Sequence, residues 1–257
     1  MPIETPQPEY RQVAAELRLA IRSGEFRPGS QLPSEPELAE RFGTTRATIN
    51  RALSVLRTEG LIKPERGRGT TVNKLPVIRR ATIGRQAREA REESGARGAF
   101  AAELQRLGLT PRSDVTLGEV SAPAEVAELF EDPDLVLEGA TLFARRRVMF
   151  AENVPVQLAT SYLPLDVASA AQLTQEDTGP GGAYSRLADV GLAPARFREL
   201  VRVRTPDDAE ARALDLDADH RVYDITRIAR TVEDRVIEVN RIVLPAHQWE
   251  LDTEWEA

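Results

Sequence analysis

The stretch SEPELAERFGTTRATINRAL, residues 34–53, decides how the first third of the chain folds. Ser34 stands before Glu35, Pro36 and Glu37, the pattern of a capping box with proline in the first turn, where its missing N–H costs nothing. The short helix that follows turns Leu38, Ala39 and Phe42 inward and stops at Gly43. Thr44 or Thr45 then caps another helix running to about Thr58, with Gly60 ending it. At roughly 100° per residue, Ile49, Ala52, Leu53 and Leu56 share a buried side. Arg46, Asn50 and Arg57 lie along one flank, Thr48 lies on the other, and Ala47, Arg51 and Ser54 face outward.

Upstream, Val13, Leu17 and Ile21 recur every four residues beside Tyr10 and Ala14, and Gly24 follows, which predicts an amphipathic helix with a glycine stop. FRPGSQLP is a turn-rich connector. Downstream, LIKP, ERGRG and TTV predict two short strands around a glycine-containing turn. Three helices and a small hairpin make a winged helix-turn-helix. The second helix of such a motif enters the major groove by its N-terminal part. Here that part offers Thr45, Arg46, Thr48, Asn50 and Arg51. Arginine donates twice to a guanine edge, asparagine pairs with an adenine edge, and threonine suits phosphates or thymine methyls. Arg66 and Arg68 flank Gly67 in the wing, which suits a loop lying against the minor groove or the phosphates. A polar helix alone would read as a solvated surface; the caps, the glycine-stopped turn and the basic wing together favour DNA.

Charge divides the chain in the same way. The 257 residues carry a net charge of −7, with 41% apolar and 29% charged residues, so a globular protein of one large or two ordinary domains is expected. Residues 1–80 hold 14 Arg/Lys against 9 Asp/Glu, whereas residues 81–257 hold 20 against 32. A basic head and an acidic body suggest two jobs. No apolar run nears the ~18 residues that span a bilayer. The start, MPIETPQPEYRQ, lacks a basic region followed by an apolar stretch, so no secretory signal and a cytoplasmic location are expected. The absence of cysteine excludes disulfides, thiolate catalysis and cysteine-ligated zinc. His220 and His247 stand far apart without carboxylates at ligand spacing, so neither a metal nor a cofactor is expected.

Three domain assignments follow: residues 1–74 as the winged head, 75–98 as a charged and partly helical linker, and 99–257 as an α+β domain of interleaved strands and short helices. The last contains an echo. Residues 122–147 resemble 205–230 in layout, each a proline-initiated helix, an acidic loop and a strand ending in arginines. QLATSYLP (157–164) and EVNRIVLP (238–245) continue it, so two similar halves are expected, with a ligand site where they meet. Strand alternation puts Arg145 and Arg147 on one side with Arg146 opposite. Gln157, Ala159 and Ser161 share a face, Glu238 takes the place of Gln157 in the second half, and Asn240 lies on the same side. Paired arginines among these polar groups suit an anionic, hydroxyl-bearing metabolite. The plain alternative is a solvated sheet edge.

Over residues 13–72 the chain resembles the DNA-binding domain of the GntR family of bacterial transcription regulators. The resemblance rests on I-x-x-G-x-x-x-P-G-x-x-L-P-S-E (21–35), the T-R-x-T helix start (45–48) and the E-G-L-I-x-x-x-x-G-x-G-T-x-V wing (59–72). It implies DNA contacts at Ser34, Glu35, Thr45, Arg46, Thr48, Asn50, Arg51, Gly67, Arg68, Gly69 and Thr70. Many relatives have arginine where Asn50 stands and some a basic residue where Pro36 stands; adenine is the expected preference at Asn50. From Gly98 onward the chain resembles the UTRA effector-binding domain of the HutC-type branch. F-x-x-E-L-x-x-x-G (100–108), R-x-R (145–147), P-V-x-x-x-x-x-Y-L-P (155–164) and I-E-V (237–239) carry this second resemblance. It implies a mixed α/β domain with a mainly antiparallel sheet, like that of chorismate lyase. It also implies ligand contacts at Arg145, Arg147, Gln157, Ser161 and Glu238 and, on looser matches, at Phe100 and Tyr184. Many relatives have glutamate at the Gln157 position, so an amine on the ligand is less expected here.

The expected function is a dimeric regulator, a repressor by default, on a near-palindromic operator with GT and AC at opposite ends, released by a small anionic effector. Two rivals remain: a lyase-like enzyme with Glu238 as general base, and a ligand-independent DNA-binding protein. After Lys74 there is no lysine, which excludes a Schiff-base enzyme.

Overall fold

Val13, Ala14, Leu17 and Ala20 form the buried stripe of α1 (Glu9–Arg22) in the computed structural model of the chain, while Tyr10 and Ile21 are half-buried beside it. The structure describes residues 7–65, 67–82, 84–92, 95–136, 140–217 and 219–254. They form two compact units that divide between Val77 and Ile78. Among the described residues no helix is long and apolar enough to cross a membrane.

In the first unit α2 (Glu35–Phe42) carries the expected capping box, and Gly43 closes it at φ 63°, where a side chain would be strained. α3 (Arg46–Thr58) is capped by Thr45, whose Oγ1 accepts from the Thr48 N–H at 3.2 Å. Ile49, Ala52, Leu53 and Leu56 are all buried, so the wheel read from sequence holds. β1 (Ile62–Glu65) and β2 (Gly69–Val72) pair antiparallel as the wing.

The second unit begins at once with β3 (Ile78–Ala81), parallel to a late strand β10 (Trp249–Asp252). Then come α4 (Arg88–Glu92), α5 (Ala99–Arg106), β4 (Pro111–Ser121), α6 (Ala124–Ala127) with a 3-10 turn (Glu128–Phe130), and α7 (Pro133–Val136). β5 (Thr141–Ala151), β6 (Val154–Pro164), α8 (Leu165–Ala170), α9 (Ala183–Asp189), β7 (Arg196–Arg204), α10 (Asp208–Leu214), β8 (Val222–Arg230) and β9 (Val236–Pro245) complete it.

Here the structure departs from the sequence reading. The segment 75–98 is not only a linker: from Ile78 it belongs to the second unit, and three of its arginines, Arg80, Arg85 and Arg91, are buried, while Arg79, Glu89 and Arg97 stay exposed. Arg80 is fully buried against Glu199, Arg85 is buried in a two-pronged pair with Glu103 at 2.7 Å, and Arg91 donates to the Gly181 carbonyl and the Ser185 hydroxyl. Charge without large apolar residues signals a solvated segment only when its partners lie in water.

Six strands form one antiparallel sheet in the order β4-β5-β6-β9-β8-β7. Ser161 faces Asn240 across the centre and Ala159 faces Ile242, so an approximate two-fold axis passes between β6 and β9. It relates β4-β5-β6 to β7-β8-β9. Each half has a helix before its first strand and another before its second. The register even slips at corresponding places, Met149/Phe150 and Ala229/Arg230. One face packs Leu142, Ile228 and Val239 against Val126 of α6 and Phe130 of the 3-10 turn. The other packs Phe143, Ala229 and Ile237 against α8 and α9.

Candidate functional site

In the first unit the candidate DNA contacts gather on α3 and the wing. Thr45, Arg46, Asn50 and Arg51 are exposed, Thr48 is half-buried, and Gly67, Arg68 and Gly69 lie exposed at the wing tip. Arg66 lies outside the described residues. Thr70 is half-buried, and its carbonyl accepts from the Leu32 N–H at 2.8 Å, tying the wing to the connector. Ser34 is spent on the cap: its N–H and hydroxyl both donate to Glu37 at 2.7 Å, which holds that carboxyl below its ordinary range. Arg51 lies over the Tyr10 ring, 4.3 Å from its centre. Asn50 is not a free reader either. Its Nδ2 donates to Glu35 at 3.0 Å, an internal partner invisible at a spacing of 15 residues. An amide nitrogen has two hydrogens, so the second and the carbonyl oxygen remain for an adenine edge.

In the second unit a cavity of about 590 Å³ opens on the face that carries α9. That is within the range of roughly 300–1,000 Å³ usual for ligand pockets. Arg145, Arg147, Gln157, Glu238 and Asn240 from the sheet line it, with Phe100 from α5 and Tyr184 from α9. Ser161 is not on the wall; it stands behind, its hydroxyl accepting from Arg147 at 2.6 Å.

The two arginines differ. Arg145 donates to the carbonyls of Leu173, Gln175 and Glu176 and so anchors the chain that follows α8 across the cavity rim. Burial, reinforced by the charge of Arg147, brings its guanidinium down to about 10. Arg147 is likewise lowered by burial, with Glu238 pulling partly the other way. Neither has a carboxylate within ion-pair distance among the described residues, and the Nε of each is buried without a partner. Opposite them, Glu238 accepts from the Tyr184 hydroxyl. Burial, and then the carboxylate, push that phenol up, so it stays a neutral donor. Among the described residues Gln157 reaches only the Met149 sulfur, a weak acceptor, and Asn240 Oδ1 is buried without a partner. The wall therefore offers cations for an anion and unfilled amides for hydroxyls.

Other wall residues escaped sequence reasoning. Arg85, Gln86 and Arg91 come from the supposed linker, and Arg112 from β4. Arg227 is the largest omission. Arg147 faces Ala159 and Arg227 faces Asn240, and these partners are themselves related by the two-fold axis, so the two arginines occupy equivalent places. Carrying the spacing between QLATSYLP and EVNRIVLP back onto β5 would have pointed within one residue of it.

The family model described as "Bacterial regulatory proteins, gntR family" matches residues 9–72, and that of the UTRA domain matches residues 106–249. An HTH-type transcriptional regulator of Streptomyces coelicolor is 32% identical over 237 residues, covering 90% of this chain and 86% of its own. The histidine utilization repressor of Pseudomonas aeruginosa is 30% identical over 251 residues, covering 97% and 92%. The crystal structure of PhnF from Mycobacterium smegmatis shares the fold, with a TM-score of 0.59 at 24% identity over 95% of this chain and 99% of that one. With a capped helix-turn-helix in the first unit, a cationic cavity in the second and both family models in the matching order, the chain belongs to the GntR family of bacterial transcription regulators, in its HutC-type branch with a UTRA domain.

Proposed function

We propose that this regulator is a repressor that binds a near-palindromic operator as a homodimer and is released when a small, anionic, hydroxyl-bearing effector fills the cavity of its second unit. The observation that carries the reading is Arg147, a cation on the cavity wall whose hydrogen-bond partner is a neutral hydroxyl. Leaving a buried charge uncompensated is costly, so a site that keeps one is built for a visiting counter-charge. The amides of Gln157 and Asn240 favour hydroxyls on that visitor. Repression is supported by the name of the Pseudomonas relative, and sensing rather than turnover by the regulator names of both relatives. A two-fold protein calls for half-sites about one helical turn apart, or a multiple of it. Such a protein acts on DNA in the cytoplasm.

The test begins with selection of an operator from random duplexes and a thermal-shift screen of sugar phosphates, organic acids and amino acids. A hit should weaken operator binding. Arg147→Ala should weaken binding of that hit roughly 10- to 100-fold, the loss expected for a charge-assisted hydrogen bond of about 1.5–3 kcal/mol. Operator affinity without the hit should be unchanged. A double variant, Arg145→Ala with Arg147→Ala, that still responds fully would refute the site. Turnover of the hit by the intact protein would favour the enzyme reading instead.

A further inference from the structure

One row of side chains crosses five strands of the sheet on the cavity face. Register places Arg145 beside Ser161, Ser161 beside Asn240, Asn240 beside Arg227, and Arg227 beside Glu199. The last member leaves the cavity wall. Glu199 Oε1 accepts from Arg227 Nε at 2.7 Å, and the same carboxylate receives both prongs of Arg80, at 2.5 and 3.0 Å. Arg80 is completely buried in β3, whose first residue, Ile78, is also the first residue of the second unit. Arg80 is the strand's link to the six-stranded sheet; its other polar contacts run to β10, where Arg79 lies near Glu250 and Asp252. Ile78 N–H reaches the Gln248 carbonyl and Thr82 N–H that of Asp252, and the only sheet partner of β3 among the described residues is the four-residue β10.

The other half of the sheet shows what this arrangement replaces. The two-fold axis sets Val115 where Glu199 stands, since Val115 faces Arg147 as Glu199 faces Arg227. Arg147 thus waits for an external anion, while its counterpart is already neutralised by an internal one that is shared with β3.

We propose that Glu199 is a positioning residue that couples occupancy of the cavity to β3, the strand entered directly from the winged head. The inference rests on the reading of the cavity as an anion site. An anion within reach of Arg227 competes with Glu199 for one guanidinium. What Arg227 gives to the ligand it withdraws from Glu199, and the hold of Glu199 on Arg80 changes with it. Coupling of this kind is reciprocal, so whatever alters β3 also alters affinity for the anion. Arg80 and Glu199 are not on the cavity wall, which lets the coupling be altered while the wall is left intact.

The experiment uses the full chain and two probes, inorganic phosphate and glycerol 3-phosphate, with binding followed by calorimetry and amide hydrogen exchange followed across residues 78–82. In the wild type, saturation with a bound probe should change exchange in β3 by about 5-fold or more. Arg80→Met replaces a buried cation by an apolar chain of similar length and leaves the Glu199–Arg227 pair in place. It should lose the exchange response, and by the same reciprocity its affinity for the probe should differ from that of the wild type by a comparable factor, about 5-fold. Should that variant fail to fold, Glu199→Gln keeps the shape and should lose the response in the same way. A bound probe that leaves β3 exchange unchanged in the wild type overturns this inference alone. So does an undiminished response in a folded Arg80→Met or Glu199→Gln. Failure of both probes to bind the wild type overturns the anion-site reading together with the coupling built on it.

Discussion

The reading face of the first unit and the cavity of the second are built in opposite ways. The first is assembled from residues 34–70, nearest neighbours on two short helices and a hairpin, and its side chains point into solvent. The second draws on residues 85–242, brought together by a sheet whose strand order departs from sequence order. Local assembly leaves a motif that can be read along the chain. Long-range assembly leaves residue types whose meaning depends on what folds against them. The contrast also separates the energetics, because exposed contacts cost little when unmade and buried charges cost a great deal.

The strongest test of that contrast is Glu199→Ala. It strands two buried guanidiniums and should destabilise the second unit by about 3–5 kcal/mol, read by tryptophan fluorescence, since Trp249 is buried there. The circular-dichroism transition of the first unit should stay in place; an equal shift in both would show that the units do not unfold separately.

Acid should divide the units next. Both histidines lie in the second unit, their rings 4.5 Å apart although 27 residues separate them in sequence. Burial, helped by the charge of His220, lowers His247 from 6.5 to about 4. The unfolded chain then binds the proton more readily than the folded one. The stability this neutral imidazole lends is present above pH 6.5 and is lost as pH falls from there through about 4, at up to about 1.4 kcal/mol per pH unit. His247→Gln should flatten that slope in denaturant melts; an equal slope in the variant would assign the effect elsewhere.

On the reading face, Asn50→Arg should shift the preferred base at one operator position from adenine to guanine, a discrimination of about 1–3 kcal/mol, scored by binding to operators changed at that position. Unaltered preference would show that Asn50 serves Glu35 and not the base. The smallest effect belongs to Ser34→Ala, which removes one side of the α2 capping box and should cost the first unit about 1 kcal/mol. A loss well beyond that in thermal melts would mean the cap also braces the neighbouring wing.

Legibility followed the same division. The caps at Ser34 and Thr45, the inward set from Ile49 to Leu56 and the paired wing strands were all open to periodicity and turn chemistry. Alternation also put Arg145 and Arg147 on one side of their strand and Gln157 with Ser161 on one face of the next, whereas it is the folded sheet that brings Arg145, Arg147, Gln157, Glu238 and Asn240 to one wall and leaves Ser161 behind it. What escaped depended on partners distant in sequence. Arg80 reads as a solvated charge until Glu199 lies against it, 119 residues away. The hold of Arg145 on the carbonyls of Leu173, Gln175 and Glu176, about 30 residues further along the chain, has no signature in the sequence. The echo was visible as layout but misaligned by eye, because both segments end in arginine and the equivalent of Arg147 is Arg227, not Arg230.

The approximate two-fold axis of the sheet carries one more consequence. A cavity built by symmetric halves would present the same chemistry from both ends, and an elongated guest would fit head-first or tail-first alike. Val115 against Arg147 and Glu199 against Arg227 remove that ambiguity, leaving one end hungry for charge and the other sated. If the cavity takes the proposed anion, the polarity of that guest, and not only its size, is set by a pair of residues that face their arginines from the two outermost strands.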